Sequence, residues 1–251
     1  MVVRSCRLYE KSVAVLEDYG GIKSRITVFK ALRNSGIEVD RKHKYRGQQH
    51  DSKLQNNISR AKSKIFEYAY CNPWSYFVTL TIDNSKYRRD DLGMYYKAFS
   101  QWLRDYRKKY DLHLSYVFIP ELHKDGKSWH MHGLLHGLPV EHLTVNSNGY
   151  YDWLPYREKF GFISIDFIRD QARTASYITK YISKDLSKCI TECNAKMYYC
   201  SRGLKTAVEV ARGTLIDGIT PDFENEYLKL QWFDSDTSID SLKKKFFNGG
   251  N

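Results

Sequence analysis

The tetrapeptide Lys124-Asp125-Gly126-Lys127 separates two runs of strand-forming residues, Leu114–Glu121 (LSYVFIPE) and Trp129–Gly137 (WHMHGLLHG). Asp-Gly between two such runs signals a tight hairpin, because both central residues of a type I′ turn need positive φ. With Asp125 and Gly126 at the centre, Leu122 faces Trp129, Glu121 faces His130 and Ile119 faces His132. A four-residue loop with the same centre keeps this register. Opposed residues of an antiparallel pair share a sheet face. One face then carries Glu121, His123, His130 and His132. The other carries Phe118, Pro120, Leu122, Trp129, Met131 and Leu135, an apolar surface suited to packing under helices.

The flanking segments supply the partners of this hairpin. Ser75–Asp83 (SYFVTLTID) is rich in β-branched and aromatic residues and reads as a buried strand. Over Asp90–Tyr110 the residues Leu92, Tyr95, Tyr96, Phe99, Trp102, Leu103 and Tyr106 recur at helical spacing. Ser52–Ala69 reads as a polar helix with an Ile58/Ala61/Ile65 stripe. After an irregular stretch over 140–162, Asp166–Lys188 has the period of a second amphipathic helix and Lys196–Ser201 that of a short strand. Leu204–Ala211 reads as a helix and Glu226–Phe233 as a last strand. The order βαββαβ predicts an α+β fold: an antiparallel sheet of about five strands with helices packed on one face, the split-βαβ or ferredoxin-like arrangement. The expected division is a basic N-terminal extension over 1–70, a main domain over 71–233 and a loose tail over 234–251.

Charge narrows the partners. The formal net charge is +11, which favours a polyanion, nucleic acid first. Residues 1–70 hold 15 Lys/Arg against 7 Asp/Glu, while residues 215–240 hold 7 acidic residues and only Lys229. Arg41, Lys42, Lys44 and Arg46, with Lys62 and Lys64 on the first helix, are the candidates for contacting DNA phosphates. The five cysteines are scattered, with no CxxC pair, so reduced thiols in a cytoplasmic protein are expected. No run approaches the 18 apolar residues of a membrane span, and the N-terminus lacks the apolar core of a secretory signal.

Two imidazoles at i and i+2 on a strand project in parallel, and Glu121 adds an oxygen from across the ladder. Mixed N/O ligation with open positions suits Mn²⁺ or Mg²⁺ more than a closed zinc site. The competing reading is a solvated sheet face with scattered histidines. His123 and His136 flank the cluster and are placed beside the ligands or against DNA, not among the ligands. Further on, SYITKYISKD puts Tyr177, Lys180, Tyr181 and Lys184 on one helix stripe, opposite Ile168, Ala172, Ala175, Ile178, Ile182 and Leu186. An ordinary solvated helix face would look similar, but the YxxK unit occurs twice in register. A tyrosine assisted by positive charge can attack a phosphodiester, leaving a 5′-phosphotyrosine and a free 3′-hydroxyl.

Together these residues resemble the HUH endonuclease superfamily, in particular rolling-circle replication initiators of phage and plasmid type. Thr79-Leu80-Thr81 is similar to the family's first motif, a structural strand. Trp129-His130-Met131-His132 is similar to its histidine–hydrophobic–histidine motif, and YITKYISK to its two-tyrosine motif. YYCSRGLK is similar to a segment that follows this helix in filamentous-phage gene II-like initiators. The resemblance implies metal ligation by His130 and His132 with Glu121 completing the site, Tyr177 and Tyr181 as nucleophiles, and Lys180 and Lys184 as their supports. It implies single-stranded or hairpin origin DNA as substrate. No GxxxxGK[ST] motif is present, so unwinding would need a separate helicase. A conjugative relaxase or single-strand transposase is the alternative enzyme. A non-catalytic nucleic-acid-binding domain of ferredoxin-like fold is the alternative without chemistry.

Overall fold

The computed structural model describes residues 6–8, 13–30, 32–34, 48–147, 149–178, 196–225 and 228–247. The chain divides into two compact units, one of Met1–Tyr45 with Thr206–Asn251 and one of Arg46–Lys205. The division runs differently from the expected one: the N-terminal segment and the C-terminal segment form one unit together.

In the first unit, β1 (Cys6–Leu8) pairs with β4 (Leu32–Asn34). β2 (Val13–Tyr19) and β3 (Lys23–Phe29) form a hairpin turned by Gly20 and Gly21, both at positive φ. They lie inside a five-stranded antiparallel sheet with β12 (Val208–Gly213), β13 (Phe223–Glu224) and β14 (Leu228–Asp234). Helix α5 (Ile239–Phe246) sits in the segment expected as a tail, capped by the Ser238 hydroxyl, which accepts from the Ser241 N–H at 3.2 Å. Its Leu242 and Phe246 pack with Ala14, Leu16, Ile26 and Val28. The helix expected over Leu204–Ala211 is not formed. Val208–Gly213 pairs instead with β2, with a bulge between Glu209 and Ala211 that breaks strict alternation and obscures the strand in the sequence.

The second unit carries the seven-stranded antiparallel sheet, in the order β11-β6-β7-β5-β10-β9-β8. Its members are β5 (Tyr76–Thr81), β6 (Ser115–Leu122), β7 (Trp129–His136), β8 (Thr144–Val145), β9 (Tyr151–Asp152), β10 (Ile163–Phe167) and β11 (Tyr199–Cys200). Its helices are α1 (Gln48–Cys71), α2 (Leu92–Lys109), α3 (Leu154–Lys159) and α4, helical over 171–178 within the described residues. The α+β class stands, with more strands than expected. β10 takes up 163–167, so the helix expected from Asp166 begins later, where the Asp170 carboxylate accepts from the Arg173 N–H at 2.9 Å. No helix among the described residues is long and apolar enough to cross a membrane.

Alternation along β5, β6, β7 and β10 sorts the sheet into two faces. Tyr76, Val78, Leu80, Phe118, Met131, Leu135, Ile163 and Ile165 pack under α2 and α3 with Tyr95, Phe99, Leu103, Tyr106 and Tyr156. The opposite face is not bare, which corrects the expectation of helices on one face only. There Phe77 meets Tyr177 of α4, ring centroids 5.6 Å apart, and Val117, Ile119 and Leu134 are buried. α4 is tied to the end of α1 by Gln171, whose amide donates to the Asn72 carbonyl, and by the Tyr70 hydroxyl, which donates to the Ala172 carbonyl at 3.3 Å.

Gly133 follows His132 on β7. A Cβ there would lie 2.3 Å from the Phe118 ring and 2.4 Å from the Val117 carbonyl oxygen. Gly133→Ala is therefore expected to destabilise the protein by about 1–3 kcal/mol through overpacking. Chemical denaturation measures this; an unchanged midpoint would contradict the close approach.

Candidate metal centre

The β6–β7 ladder pairs Leu122 with Trp129, Glu121 with His130 and Ile119 with His132, the register expected from the turn. The turn itself is of a different type. Asp125 keeps negative φ, since Asp111 is the one non-glycine at positive φ among the described residues, and Gly126 alone takes φ +69°. The Gly126 N–H donates to the His123 carbonyl at 2.9 Å, and the His123 N–H donates to the Ser128 carbonyl at 2.7 Å, closing a four-residue loop. Asp125 braces the loop. Its Oδ1 accepts from the N–H groups of Lys127 (2.9 Å) and Ser128 (2.8 Å), and its Oδ2 from the Ser128 hydroxyl at 2.6 Å. These donors, the Ser128 hydroxyl first, hold the Asp125 carboxyl well below the usual carboxylate range.

Above this loop three donor atoms converge. His130 Nε2 lies 3.1 Å from Glu121 Oε2, His132 Nε2 lies 2.8 Å from the same oxygen, and the two Nε2 atoms are 2.9 Å apart. The side chains are largely buried, at 14%, 12% and 24% exposure for His130, His132 and Glu121. On the neighbouring strand Thr79 stands opposite His132 and Thr81 opposite His130. The Thr79 hydroxyl is 3.0 Å from His132 Nδ1. In the tautomer with the proton on Nδ1, the hydroxyl accepts from it and the His132 Nε2 lone pair is directed into the cluster. Thr79 is the one contributor to the site whose motif presents it as purely structural; its parity with Phe77 and Thr81 on β5 is the available signal.

Burial, outweighing the attraction of Glu121, lowers the pKa of His130. Burial, followed by the charge His130 would carry, pushes His132 down to about 4. Both imidazoles are therefore neutral at pH 7, and the contacts with Glu121 are not ion pairs. The cluster is then short of protons. With the His132 proton on Nδ1, only His130 has a hydrogen to offer to three mutual contacts. The His132 Nε2 lone pair faces a carboxylate oxygen at 2.8 Å, a repulsion that a cation would relieve. His130 Nδ1 is buried with no hydrogen-bond partner.

This donor set fits a divalent ion, and among the described residues it is the one such group of three. The triangle also fits in size. Neighbouring ligands of an ion bound at about 2.1 Å lie about 3.0–3.4 Å apart, so the three donors need little rearrangement to hold one.

The other expected residues divide by position. His123 lies beside the cluster, its ring 5.2 Å from that of His130. His136 shares the face, but its Nδ1 lies 2.8 Å from the Ser75 hydroxyl, four residues along the strand from His132, about 13 Å at strand rise. Tyr177, 47% exposed, is linked to the cluster through Phe77, whose ring stacks on His132 at 6.0 Å. Lys180, Tyr181 and Lys184 lie outside the described residues, as do Arg41, Lys42, Lys44 and Arg46. Lys62 is half-buried on α1. Lys64 is paired with Glu67 at 2.9 Å and lies over the Tyr68 ring.

Residues 75–186 match a family model described as replication-associated protein of the ORF2/gene 2 protein type, which covers less than half of the chain. No curated protein and no solved structure gives a significant match. The matched segment runs from the start of β5 through the hairpin and the described part of α4, and so contains all three converging side chains.

Two outcomes test the centre. Thr79→Val removes the acceptor that orients His132 and is expected to weaken Mn²⁺ binding about 10–100-fold, with Thr79→Ser restoring it; calorimetric titration reads both. A protonated imidazole has no lone pair to give, so metal is lost as pH falls through the ligand pKa. Because both histidines are shifted down, His132 to about 4, loss of Mn²⁺ should be centred below the ordinary histidine value of about 6.5. Loss centred at the ordinary value would contradict the burial argument.

Proposed function

We propose that the protein is a metal-dependent, site-specific single-strand DNA endonuclease and strand transferase that nicks a replication origin to start rolling-circle replication. One observation carries this reading above the others. The helix bearing Tyr177 docks through Phe77 on the same sheet face as the converging Glu121, His130 and His132. A similarity to replication-associated proteins over the same segment supports it.

In this reading Glu121, His130 and His132 hold Mn²⁺ or Mg²⁺, which when bound polarises a phosphate oxygen and offsets the charge that builds on it. Tyr177 is the described nucleophile. Its oxygen bonds to phosphorus as its proton leaves, the bond from phosphorus to the 3′-oxygen breaks, and that oxygen takes up a proton. The products are a 5′-phosphotyrosine and a 3′-hydroxyl. Attack by a 3′-hydroxyl on the phosphotyrosine reverses the exchange with no nucleotide cofactor. Tyr181, one helical turn on in sequence, is the second nucleophile of the proposal, with Lys180 and Lys184 assisting phenol ionisation. Arg41, Lys42, Lys44, Arg46, Lys62 and Lys64 bind origin phosphates. A separate helicase unwinds the duplex.

Supercoiled plasmid carrying the origin, incubated with Mn²⁺, is expected to become nicked with protein joined to the 5′ end. Tyr177→Phe combined with Tyr181→Phe should lower nicking by at least about 10³-fold, while Mn²⁺ binding is retained. Normal nicking by the double variant would exclude the tyrosine mechanism. Intact plasmid together with tight DNA binding would favour a binding module instead.

A further inference from the structure

A cleft of about 640 Å³ opens between the loop after β5 and the β6–β7 turn, lined by Arg88, Arg89, Asp90, Leu122, Lys127 and Trp129 among others. Its Arg88, Arg89 and Asp90 belong to none of the motifs used above. Its size falls in the range of small-ligand sites. Leu122 and Trp129 are the chain neighbours of Glu121 and His130, so the cleft adjoins the donor triangle on the other side of the same hairpin pair.

The cleft walls combine an aromatic face with unspent positive charge. Trp129 is half-buried, packed on the core from one side and lining the cleft from the other. Arg88 is neutralised bidentately by Asp90, at 3.0 and 2.8 Å. Arg89 and Lys127 have no carboxylate partner among the described residues, and Arg89 is held in place rather than left loose. Its Nε donates to the Ile82 carbonyl at 2.6 Å, and its own carbonyl accepts from the Trp129 N–H at 2.9 Å. The first contact orients the guanidinium, and the second, between backbones, ties Arg89 to the start of β7.

We infer that this cleft is a nucleotide subsite: it takes one nucleotide of the single-stranded DNA substrate, its base against Trp129 and its phosphate against Arg89 and Lys127. An indole face accepts any base by stacking, and two cations without carboxylate partners among the described residues suit a backbone phosphate. Duplex DNA would not offer the base, since its faces are covered by neighbouring pairs. The inference rests on the proposed function for its choice of DNA. It adds a requirement that function does not carry: an unpaired nucleotide held at the same end of the hairpin as the metal centre, on the opposite sheet face.

The test is fluorescence anisotropy with a labelled single-stranded origin oligonucleotide, alongside Mn²⁺ titration of the same proteins. Trp129→Leu keeps an apolar filler and should weaken DNA binding roughly five-fold or more, with Trp129→Phe restoring most of it and Mn²⁺ binding unchanged in both. Lys127→Gln should reduce the slope of log affinity against log salt by about 0.7. An oligonucleotide with one abasic position, scanned along the strand, should lose affinity for the wild type at one position and lose nothing further against Trp129→Leu there. Unchanged affinity in Trp129→Leu overturns the subsite even where wild-type nicking is normal, which leaves the proposed function standing. A salt-slope change in Lys127→Gln without any abasic position effect also overturns it, since the cleft would then hold phosphate alone. A wild type that binds Mn²⁺ but no oligonucleotide overturns both readings.

Discussion

The antiparallel register between β6 and β7 is the constraint on which the site depends. A shift of one residue would send Glu121 to the opposite face from His130, because side chains alternate with a period of two. The four-residue loop closed by Gly126 and braced by Asp125 holds that register at one end. The Phe118 ring lying across Gly133 holds it at the other. Between these two fixed points a carboxylate and two imidazoles have little freedom, so they approach one another more closely than their own protons can satisfy. The strain is electrostatic, and a divalent cation is the natural way to remove it.

The sheet serves two purposes through its two faces. One is filled by an aromatic core in which the Tyr95 and Tyr156 hydroxyls meet at 2.7 Å, a buried polar contact with both partners supplied by the fold. The other face carries the donor triangle and receives α4 through Phe77. Residues separated by 45 positions in the chain, His132 and Tyr177, are thus connected through a single ring.

How much of this can be read from the sequence follows from which forces are local. The hairpin register, the convergence of Glu121, His130 and His132, and the helices α1 and α2 are legible because turn chemistry and strict periodicity act within a few residues. The turn type is not, because Asp-Gly is compatible with a type I turn followed by a left-handed glycine as well as with type I′. β2 and β3 are hidden by the surrounding basic residues, although Gly20-Gly21 marks their turn. β12 reads as a helix because its bulge gives Val208, Val210 and Ala211 a mixed spacing. The part played by Thr79 is set by a cross-strand partner 53 residues away, and no local pattern encodes that.

Whether Glu121, His130 and His132 form one divalent-metal centre is tested most directly by anomalous diffraction from crystals soaked in Mn²⁺. A single strong peak is expected, bonded by His130 Nε2, His132 Nε2 and a Glu121 carboxylate oxygen, with the remaining positions open to water. A peak elsewhere on the protein, or none at this cluster at saturating Mn²⁺ and neutral pH, would contradict it.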